Sequence, residues 1–159
     1  MSKKANLYIG RAGQMAVMAE FLIRGYNVAI PEVDVGDDIF VFKDSDGEYV
    51  RIQVKTASAV PGQKGYSVRY SLRLSQLTEP TVPEIWYVFA HRLSSNWGSY
   101  ILIPRNTLFE FYDRHNMGSL NKNGFLQLYF SFWGNTVTCS GMDFSRFLND
   151  WSAWPQIEH

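Results

Sequence analysis

A chain of 159 residues, of which 46% are hydrophobic and 16% aromatic, is long enough for one domain, spanning residues 1–159, with its own core. Its 15 Lys and Arg residues balance its 15 Asp and Glu residues, whereas a strong non-specific nucleic-acid binder usually has a basic surplus. No apolar run approaches the roughly 20 residues of a membrane span, and the N-terminal residues "MSKKANLYIG" lack the apolar centre of a secretory signal. With Cys139 as the one cysteine, an intrachain disulfide is excluded, and we expect a cytoplasmic protein.

The first predicted element is a helix over residues 10–24, "GRAGQMAVMAEFLIR". Apolar residues recur there at i, i+3, i+4 and i+7, which predicts one buried helix face. The residues of that face are Met15, Met18, Ala19 and Leu22. Gly25 follows at the position where a left-handed C-terminal cap is expected, and "YNVAIP" then continues as an extended segment.

Two consecutive strands joined by a tight turn are predicted next. "DIFVF" at 38–42 is a short apolar strand, Asp46-Gly47 is typical of a hairpin turn, and "YVRIQVKTA" returns antiparallel. Three further strands are predicted in "YSVRYSLRL", "EIWYVFAHR" and "SYILI". The second of these is almost continuously apolar, which is typical of a central strand buried on both faces.

The last third of the chain predicts two more helices and a hairpin. Pro104 opens a helix in which Thr107 and Glu110 have the spacing of a capping box. "FLQLYFSF" and "NTVTCS" are predicted to pair, and a terminal helix is expected to pack through one apolar face. The residues of that face are Phe144, Phe147, Leu148 and Trp151. The order of elements predicts an α/β fold with a mixed sheet flanked by helices.

Polar residues at alternate positions of "RIQVK" indicate a candidate site. Because side chains alternate across a strand, Arg51, Gln53 and Lys55 are expected to share one face. Asp38 heads the adjacent strand, so its carboxylate should lie close to them. Mg²⁺ or Mn²⁺ prefers oxygen ligands and keeps several waters, so Asp38, the Gln53 amide and the Val54 carbonyl form a plausible set. Lys55 would then orient or deprotonate a water and stabilise charge on a phosphate.

The identity of the aspartate remains open at this point. Asp34, Asp37 and Asp38 all lie in "EVDVGDDIF", and a shift of one residue reverses the face of a strand. Asp38 is favoured because the apolar strand begins directly after it. Without further information, Gln53 and Lys55 would equally suit an ordinary solvated strand face.

The pattern resembles the PD-(D/E)XK nuclease superfamily, whose fold is restriction-endonuclease-like. The superfamily signature, an Asp opening a strand and then Glu or Gln, any residue and Lys in the next, is matched by Asp38 and Gln53-Val54-Lys55. "GRAGQMAVMAEFLIRGYNVAIP" is similar to the start of small Holliday-junction-resolvase-like nucleases and uncharacterised bacterial members. The match covers roughly residues 8–57. The resemblance implies a nuclease that hydrolyses DNA with Mg²⁺ or Mn²⁺, and it suggests a homodimer.

Two positions depart from the superfamily pattern. Gln14 stands where the superfamily helix usually has Glu, and Gln53 stands where a carboxylate is more frequent. Each change removes a negative charge from the neighbourhood of a divalent cation.

Two hypotheses follow. One is an endonuclease that uses Gln14, Asp38, Gln53 and Lys55. The other is a catalytically inactive module that binds nucleic acid or a protein partner, as an antitoxin, immunity or phage-defence component.

Other polar residues have simpler interpretations. Glu20 and Arg24 are spaced for an ion pair on the helix surface. His91 is expected to be hydrogen-bonded, because no second histidine stands at metal-ligand spacing near it. Arg69 and Arg73 share one face of "YSVRYSLR", beside the strand that carries the motif lysine. They predict either a track for phosphate groups or a plain solvated face.

Overall fold

The computed structural model describes residues 2–33 and 35–159, so Asp34, one of the three candidate aspartates, lies outside the described residues. The α-helices are α1 (Lys3–Ile23), α2 (Leu74–Thr78) and α3 (Arg105–His115), and a 3₁₀ turn spans Ser145–Phe147. The strands are β1 (Asn27–Ala29), β2 (Ile39–Phe42), β3 (Tyr49–Ser58), β4 (Val60–Pro61), β5 (Tyr66–Arg73), β6 (Ile85–Arg92), β7 (Ile101–Pro104), β8 (Ser119–Leu120), β9 (Phe125–Trp133), β10 (Thr136–Cys139) and β11 (Met142–Asp143).

Two sheets form the body of the protein. The first has the order β1-β2-β3-β6-β7, in which β3 and β6 are parallel and the other neighbours are antiparallel. This is the predicted mixed sheet. The second, with the order β11-β10-β9-β5-β4 and β8 beside β9, is antiparallel. Its main strands and its β9–β10 hairpin were predicted, whereas their separation into a second sheet was not.

The two sheets create two hydrophobic cores that share β6. Tyr87 and Phe89 of β6 pack in the core between the sheets, together with the inner faces of β5 and β9. Val88 and Ala90 point the other way, into the core between the first sheet, α1 and the C-terminal segment. Burial on both faces explains the nearly continuous apolar sequence of β6.

Helix α1 differs from its prediction in start and in orientation. It begins at Lys3, where the Ser2 hydroxyl caps it by accepting a hydrogen bond from the Ala5 amide at 3.2 Å. The predicted apolar face is wrong at three of its four residues, since Met15 and Leu22 are 58% and 53% exposed and Ala19 is also exposed, whereas Met18 packs against the core beside α1. The buried residues are instead Gly13, Val17 and Phe21.

The reason for this orientation is a close approach between helix and sheet. A Cβ atom at Gly13 would overlap the Thr56 side chain of β3, so only glycine permits the observed contact. That contact fixes the rotation of α1 on the sheet. The predicted glycine cap is confirmed, because Gly25 has φ of +90° directly after the helix.

The predicted capping box of α3 is also wrong. The helix begins at Arg105 after Pro104, so Thr107 is not the N-cap residue, and Pro104 makes no side-chain capping hydrogen bond. Arg105 is buried and is held by two partners. Its guanidinium pairs with Glu84 at 2.6 Å and donates to the Leu77 carbonyl at 2.7 Å. This partly buried ion pair anchors the start of α3.

The predicted terminal helix does not form beyond the 3₁₀ turn at Ser145–Phe147. Leu148 instead bridges Ile101 at the edge of the first sheet, and the Asn149 amide donates to the Tyr100 carbonyl at 2.7 Å. These long-range backbone bonds replace helical ones. Among the described residues, no helix combines the length and the apolarity that a bilayer crossing would require.

Candidate active site

The carboxylate of Asp38 lies at the junction of β2 and β3. The Asp38 amide donates to the Ile52 carbonyl at 2.9 Å, which extends the pairing of the two strands by one residue. Its Oδ2 atom accepts hydrogen bonds from Gln53 Nε2 at 2.6 Å and from the Val54 amide at 2.7 Å. The acid and the amide that the sequence predicted to converge are therefore in direct contact.

Asp37 faces a different partner. Its carboxylate is only 3% exposed and pairs with Arg51 at 2.9 Å. Arg51 was expected to share a face with Gln53 and Lys55, and its guanidinium is occupied by this ion pair. Of the two candidate aspartates that the structure describes, Asp38 is the one that contacts Gln53.

Gln14 connects α1 to the same junction through the backbone. Its Nε2 atom donates to the main-chain carbonyl of Asp38 at 2.7 Å, and its Oε1 atom accepts from Arg11 at 2.6 Å. Gln14 therefore lies beside the predicted site residues, and its contact with Asp38 is to the carbonyl and not to the carboxylate. The observed geometry is that of a tether between the helix and the start of β2.

The oxygen atoms around Gln53 fit a hard divalent cation. Gln53 Nε2 is 2.6 Å from Asp38 Oδ2 and 3.5 Å from the Val54 carbonyl oxygen, so this amide nitrogen lies between two potential ligands. A half-turn of the amide would direct Oε1 to the same place and complete a set of three oxygens. No group of three or more His, Cys, Asp or Glu residues with metal-binding spacing occurs in the part of the chain that the structure describes. A cation here would depend on amide and carbonyl oxygens.

Lys55 is half-buried on β3 and lines three adjoining clefts. The smallest, of about 310 Å³, also contains Gln14, Asp38 and Gln53. A second cleft of about 450 Å³ joins Lys55 to Arg73 and Gln76. The largest, of about 810 Å³, joins it to Arg69 and Gln127. The lysine therefore stands where the acid-bearing cleft meets two clefts lined by arginine.

Gln76 is a neighbour of the site that the sequence did not indicate. Its Nε2 atom donates to the Gly36 carbonyl at 3.2 Å and lies 3.5 Å from Gln53 Oε1. A methyl group at Gly36 would collide with this side chain, so the glycine makes room for it. Gln76 belongs to the short helix α2, and nothing in its local sequence points to Gln53, because only the packing of α2 brings them together.

The predictions for the helix ion pair and for His91 are confirmed. Arg24 pairs with Glu20 at 2.7 Å, and its guanidinium also lies 4.0 Å above the Trp151 ring. His91 is buried and lies 3.0 Å from the Tyr66 hydroxyl and 3.3 Å from the Tyr70 hydroxyl. Burial lowers the pKa of His91 to about 4, so the imidazole is neutral at pH 7.

Cys139 is buried in β10, where it belongs to the core between the two sheets. Its desolvation raises the pKa of the thiol to about 11, although hydrogen bonds to Ser140 and the Tyr129 backbone oppose that shift. The thiolate is the nucleophilic form of cysteine, and it is scarce at pH 7 when the pKa is so high. Cys139 therefore has the properties of a packing residue.

Similarity to known proteins is confined to solved structures. No family model matches the chain, and no curated protein matches it. The structure of a bacterial homing endonuclease, I-Ssp6803I, is similar with a TM-score of 0.55 and 15% identity, over 96% of this chain and 90% of that chain. The structure of Hjc, a Holliday junction resolvase from Archaeoglobus fulgidus, has a TM-score of 0.44 and 12% identity, over 74% and 81%. The first likeness confirms the predicted architecture: the chain has the restriction-endonuclease-like fold that its resemblance to the PD-(D/E)XK superfamily implied.

Proposed function

We propose that this protein is a metal-dependent nuclease that hydrolyses DNA phosphodiester bonds. One observation carries the proposal. The Asp38 carboxylate and the Gln53 amide are 2.6 Å apart in a cleft that Lys55 also lines. An acid, an amide and an amine in one cleft supply cation ligands together with a positive charge for a phosphate. The likeness in fold to a homing endonuclease supports the same assignment.

Each residue has a defined role in this proposal. Asp38, Gln53 Oε1 and the Val54 carbonyl would hold Mg²⁺ or Mn²⁺, which when bound supplies Lewis-acid stabilisation of charge on the phosphate. Gln14 would position Asp38 by holding its main-chain carbonyl at 2.7 Å. The side chains of Asp38 and Gln53 are therefore proposed as metal ligands. Gln14, which was predicted to be catalytic, is proposed as a positioning residue.

Lys55 would act on the reacting groups themselves. Hydrolysis adds a water oxygen to phosphorus, breaks one P–O ester bond and delivers a proton to the leaving oxygen. The Lys55 amine would orient the attacking water, and its positive charge would offset the negative charge that develops on the phosphate. A neutral side chain at position 55 cannot provide that charge.

The test compares wild type with Lys55→Ala on plasmid, single-stranded and branched DNA in the presence of Mn²⁺. We expect Lys55→Ala to cleave about 100-fold more slowly or worse. Lys43→Ala is the matched control, because Lys43 is a half-buried lysine that lies near the Tyr26 ring and lines none of the three clefts. Equal cleavage by wild type and Lys55→Ala would overturn the catalytic proposal.

Metal binding can be measured separately by titration calorimetry with Mn²⁺. We expect binding by wild type and its loss in Asp38→Asn, since the substitution removes the carboxylate among the proposed ligands. Asp46→Asn is the control, because Asp46 is an exposed aspartate in the β2–β3 turn. Unchanged affinity in Asp38→Asn would contradict the assignment of the metal ligands.

One observation favours a second candidate, a nuclease-fold module without catalysis. Asp38 Oδ2 already accepts two N–H groups, from Gln53 and from Val54, so this oxygen is satisfied without a cation. Such a module would bind DNA or a protein partner. Retained DNA binding, with no Mn²⁺ binding at millimolar concentration and identical behaviour of Lys55→Ala, would support it.

A homodimer is a further proposal from the resemblance, and light scattering on the purified chain tests it.

A further inference from the structure

The outward surface of β5 and β9 has an unusual composition. All of β5 pairs with residues 125–132 of β9, and the residues of both strands alternate between the core and solvent. Leu72 and Phe130 are among the inward residues. The outward residues include Arg69 and Arg73 on β5 and Tyr129 and Trp133 on β9. We call the outward surface of these two strands the β5–β9 face.

Two large aromatic rings are exposed on the β5–β9 face. Tyr129 is 53% exposed and Trp133 is 65% exposed. Together with the half-buried Phe125, they recur at every fourth residue of β9. Because a strand advances about 3.4 Å per residue, the three rings form a row with a spacing of about 14 Å.

Each ring in this row has a cationic neighbour. Arg73 lies 5.0 Å from the centroid of Phe125, and Lys64 lies 5.5 Å from the centroid of Trp133. Arg69 is directly opposite Tyr129 in the strand pairing. Each of the three rings along the β5–β9 face thus has a positively charged side chain as its neighbour.

The β5–β9 face also lacks negative charge. Between the rings and the arginines lie serine and glutamine side chains, such as Ser71 and Gln127, which are joined by a hydrogen bond of 2.8 Å. Neither β5 nor β9, both of which the structure describes completely, contains Asp or Glu. The nearest strand of this sheet with an acid is β11, with Asp143, and β10 separates it from β9. On a chain of zero formal net charge, this is a local basic surface.

The face leads directly into the candidate active site. Arg69, Ser71 and Gln127 line the cleft of about 810 Å³ that Lys55 also lines. Arg73 and Phe125 line the cleft of about 450 Å³ that contains Gln53 and Lys55. The row of rings therefore begins beside the proposed catalytic lysine at Phe125 and extends away from it to Trp133.

We propose that the β5–β9 face binds an unpaired DNA strand and guides it to Lys55. This inference rests on the proposed function and specifies its substrate as DNA with a single-stranded segment. Exposed rings stack on unpaired bases whatever their sequence, and adjacent Lys and Arg bind the phosphates. In a duplex the faces of the bases are already stacked on each other, so Tyr129 and Trp133 could not stack on them.

The test is a binding measurement in EDTA, where cleavage does not contribute. Fluorescence anisotropy gives the Kd of the wild-type chain for a labelled oligo-dT of about 16 nucleotides and for a duplex of equal length. We expect the single strand to bind more tightly. Tyr129→Ala and Trp133→Ala should each weaken its binding about fivefold or more. The matched control is Tyr49→Ala, because Tyr49 is 47% exposed but belongs to the first sheet.

A second measurement uses the salt dependence of the same Kd. Removing Arg69 and Arg73 together should reduce the slope of log K against log salt by about 1.4, since each phosphate contact to a single strand contributes about 0.7. Because both side chains point outward, their replacement should leave the fold intact, which circular dichroism checks.

Three outcomes would overturn the inference. They are equal affinity for single strand and duplex, equal affinity of Tyr129→Ala and Tyr49→Ala for the single strand, or no DNA binding by wild type. If instead Trp133→Ala dissociates a dimer without changing DNA affinity, the face is a contact between two copies. The Mn²⁺ cleavage assay with Lys55→Ala tests the nuclease proposal separately, and its result does not depend on these binding measurements.

Discussion

Gln53 donates a hydrogen bond of 2.6 Å to the carboxylate of Asp38. Gln53 is a neutral amide at a position where the superfamily that this chain resembles more often has a carboxylate. Two carboxylates at this separation would repel each other unless a cation lay between them. With the amide, the pair is attractive without any cation. The chain therefore does not need a metal ion to stabilise this junction of β2 and β3.

The substitution Gln53→Glu should reverse that relationship. It replaces the hydrogen-bond donor with a second carboxylate beside Asp38, in a position that is only 7% exposed in wild type. In EDTA we expect the free energy of unfolding to fall by about 1–3 kcal/mol, because a buried hydrogen bond becomes a repulsion. Saturating Mn²⁺ should raise the Tm of the variant more than that of wild type.

Gln127→Glu is the control for this experiment, because Gln127 is a half-buried glutamine on β9 that makes no contact with Asp38. Thermal unfolding with and without Mn²⁺ measures both proteins. An equal Mn²⁺-dependent rise in Tm for Gln53→Glu and wild type would show that position 53 does not contact the cation.

Gly13→Ala should move α1 away from the sheet. The new methyl group would overlap Thr56, and crowding of this kind in a packed contact costs about 1–3 kcal/mol. The displacement should also disturb the neighbouring Gln14, which holds the Asp38 carbonyl. Urea unfolding measures the loss of stability, and the Mn²⁺ assay should show slower cleavage.

The same helix provides a matched control at Gly10, where a methyl group would meet no atom within 4 Å. Gly10→Ala should be neutral or stabilise the protein by up to about 1 kcal/mol, because alanine is the better helix former. Similar effects of the two substitutions would mean that the contact of Gly13 with Thr56 does not fix the helix.

The stability of the protein should fall in mild acid because of His91. Burial lowers the pKa of this imidazole from 6.5 to about 4 in the folded chain, so protonation favours the unfolded chain. The stability that the neutral imidazole of His91 contributes is fully present above pH 6.5. It is lost as the pH falls through the window from 6.5 to about 4. Within that window the slope approaches about 1.4 kcal/mol per pH unit.

Urea unfolding at a series of pH values measures this dependence. His91→Gln removes the titrating group and should flatten the curve between pH 6.5 and 4, even though it costs stability at pH 7 through the lost contacts to Tyr66 and Tyr70. His115→Gln, at an exposed histidine, should leave the curve of wild type unchanged. If the free energy of unfolding of His91→Gln falls with pH as steeply as that of wild type, a group other than His91 causes the acid sensitivity.

The sequence predicted those features that depend on residues close together in the chain. Asp38 and Gln53 meet because the short connection over residues 43–48 joins their strands as an antiparallel pair, and alternation within β3 then determines which side chains share a face. The β9–β10 hairpin follows from a similarly local pattern. The mixed sheet was instead predicted from the order of the elements along the chain. The strand pattern of β5, with its two outward arginines, was predictable for the same reason.

The incorrect predictions involve contacts between distant residues. The rotation of α1 depends on Gly13 meeting Thr56, and the terminal helix fails because Leu148 bridges Ile101. Gln76 reaches Gln53 only through the packing of α2. Periodicity within a segment contains no information about these partners, so Met15 and Leu22 of α1, which were predicted to be buried, are exposed.

Strand β6 has a consequence for how the protein loses its structure. Its side chains alternate between the two cores, with Phe89 in one and Val88 in the other, and its backbone pairs with β3 on one side and β7 on the other. Loss of β6 would remove buried side chains from both cores at once, so we expect the two cores to unfold together. Unfolding should therefore be cooperative throughout, so that a spectroscopic reporter in either half records one common transition.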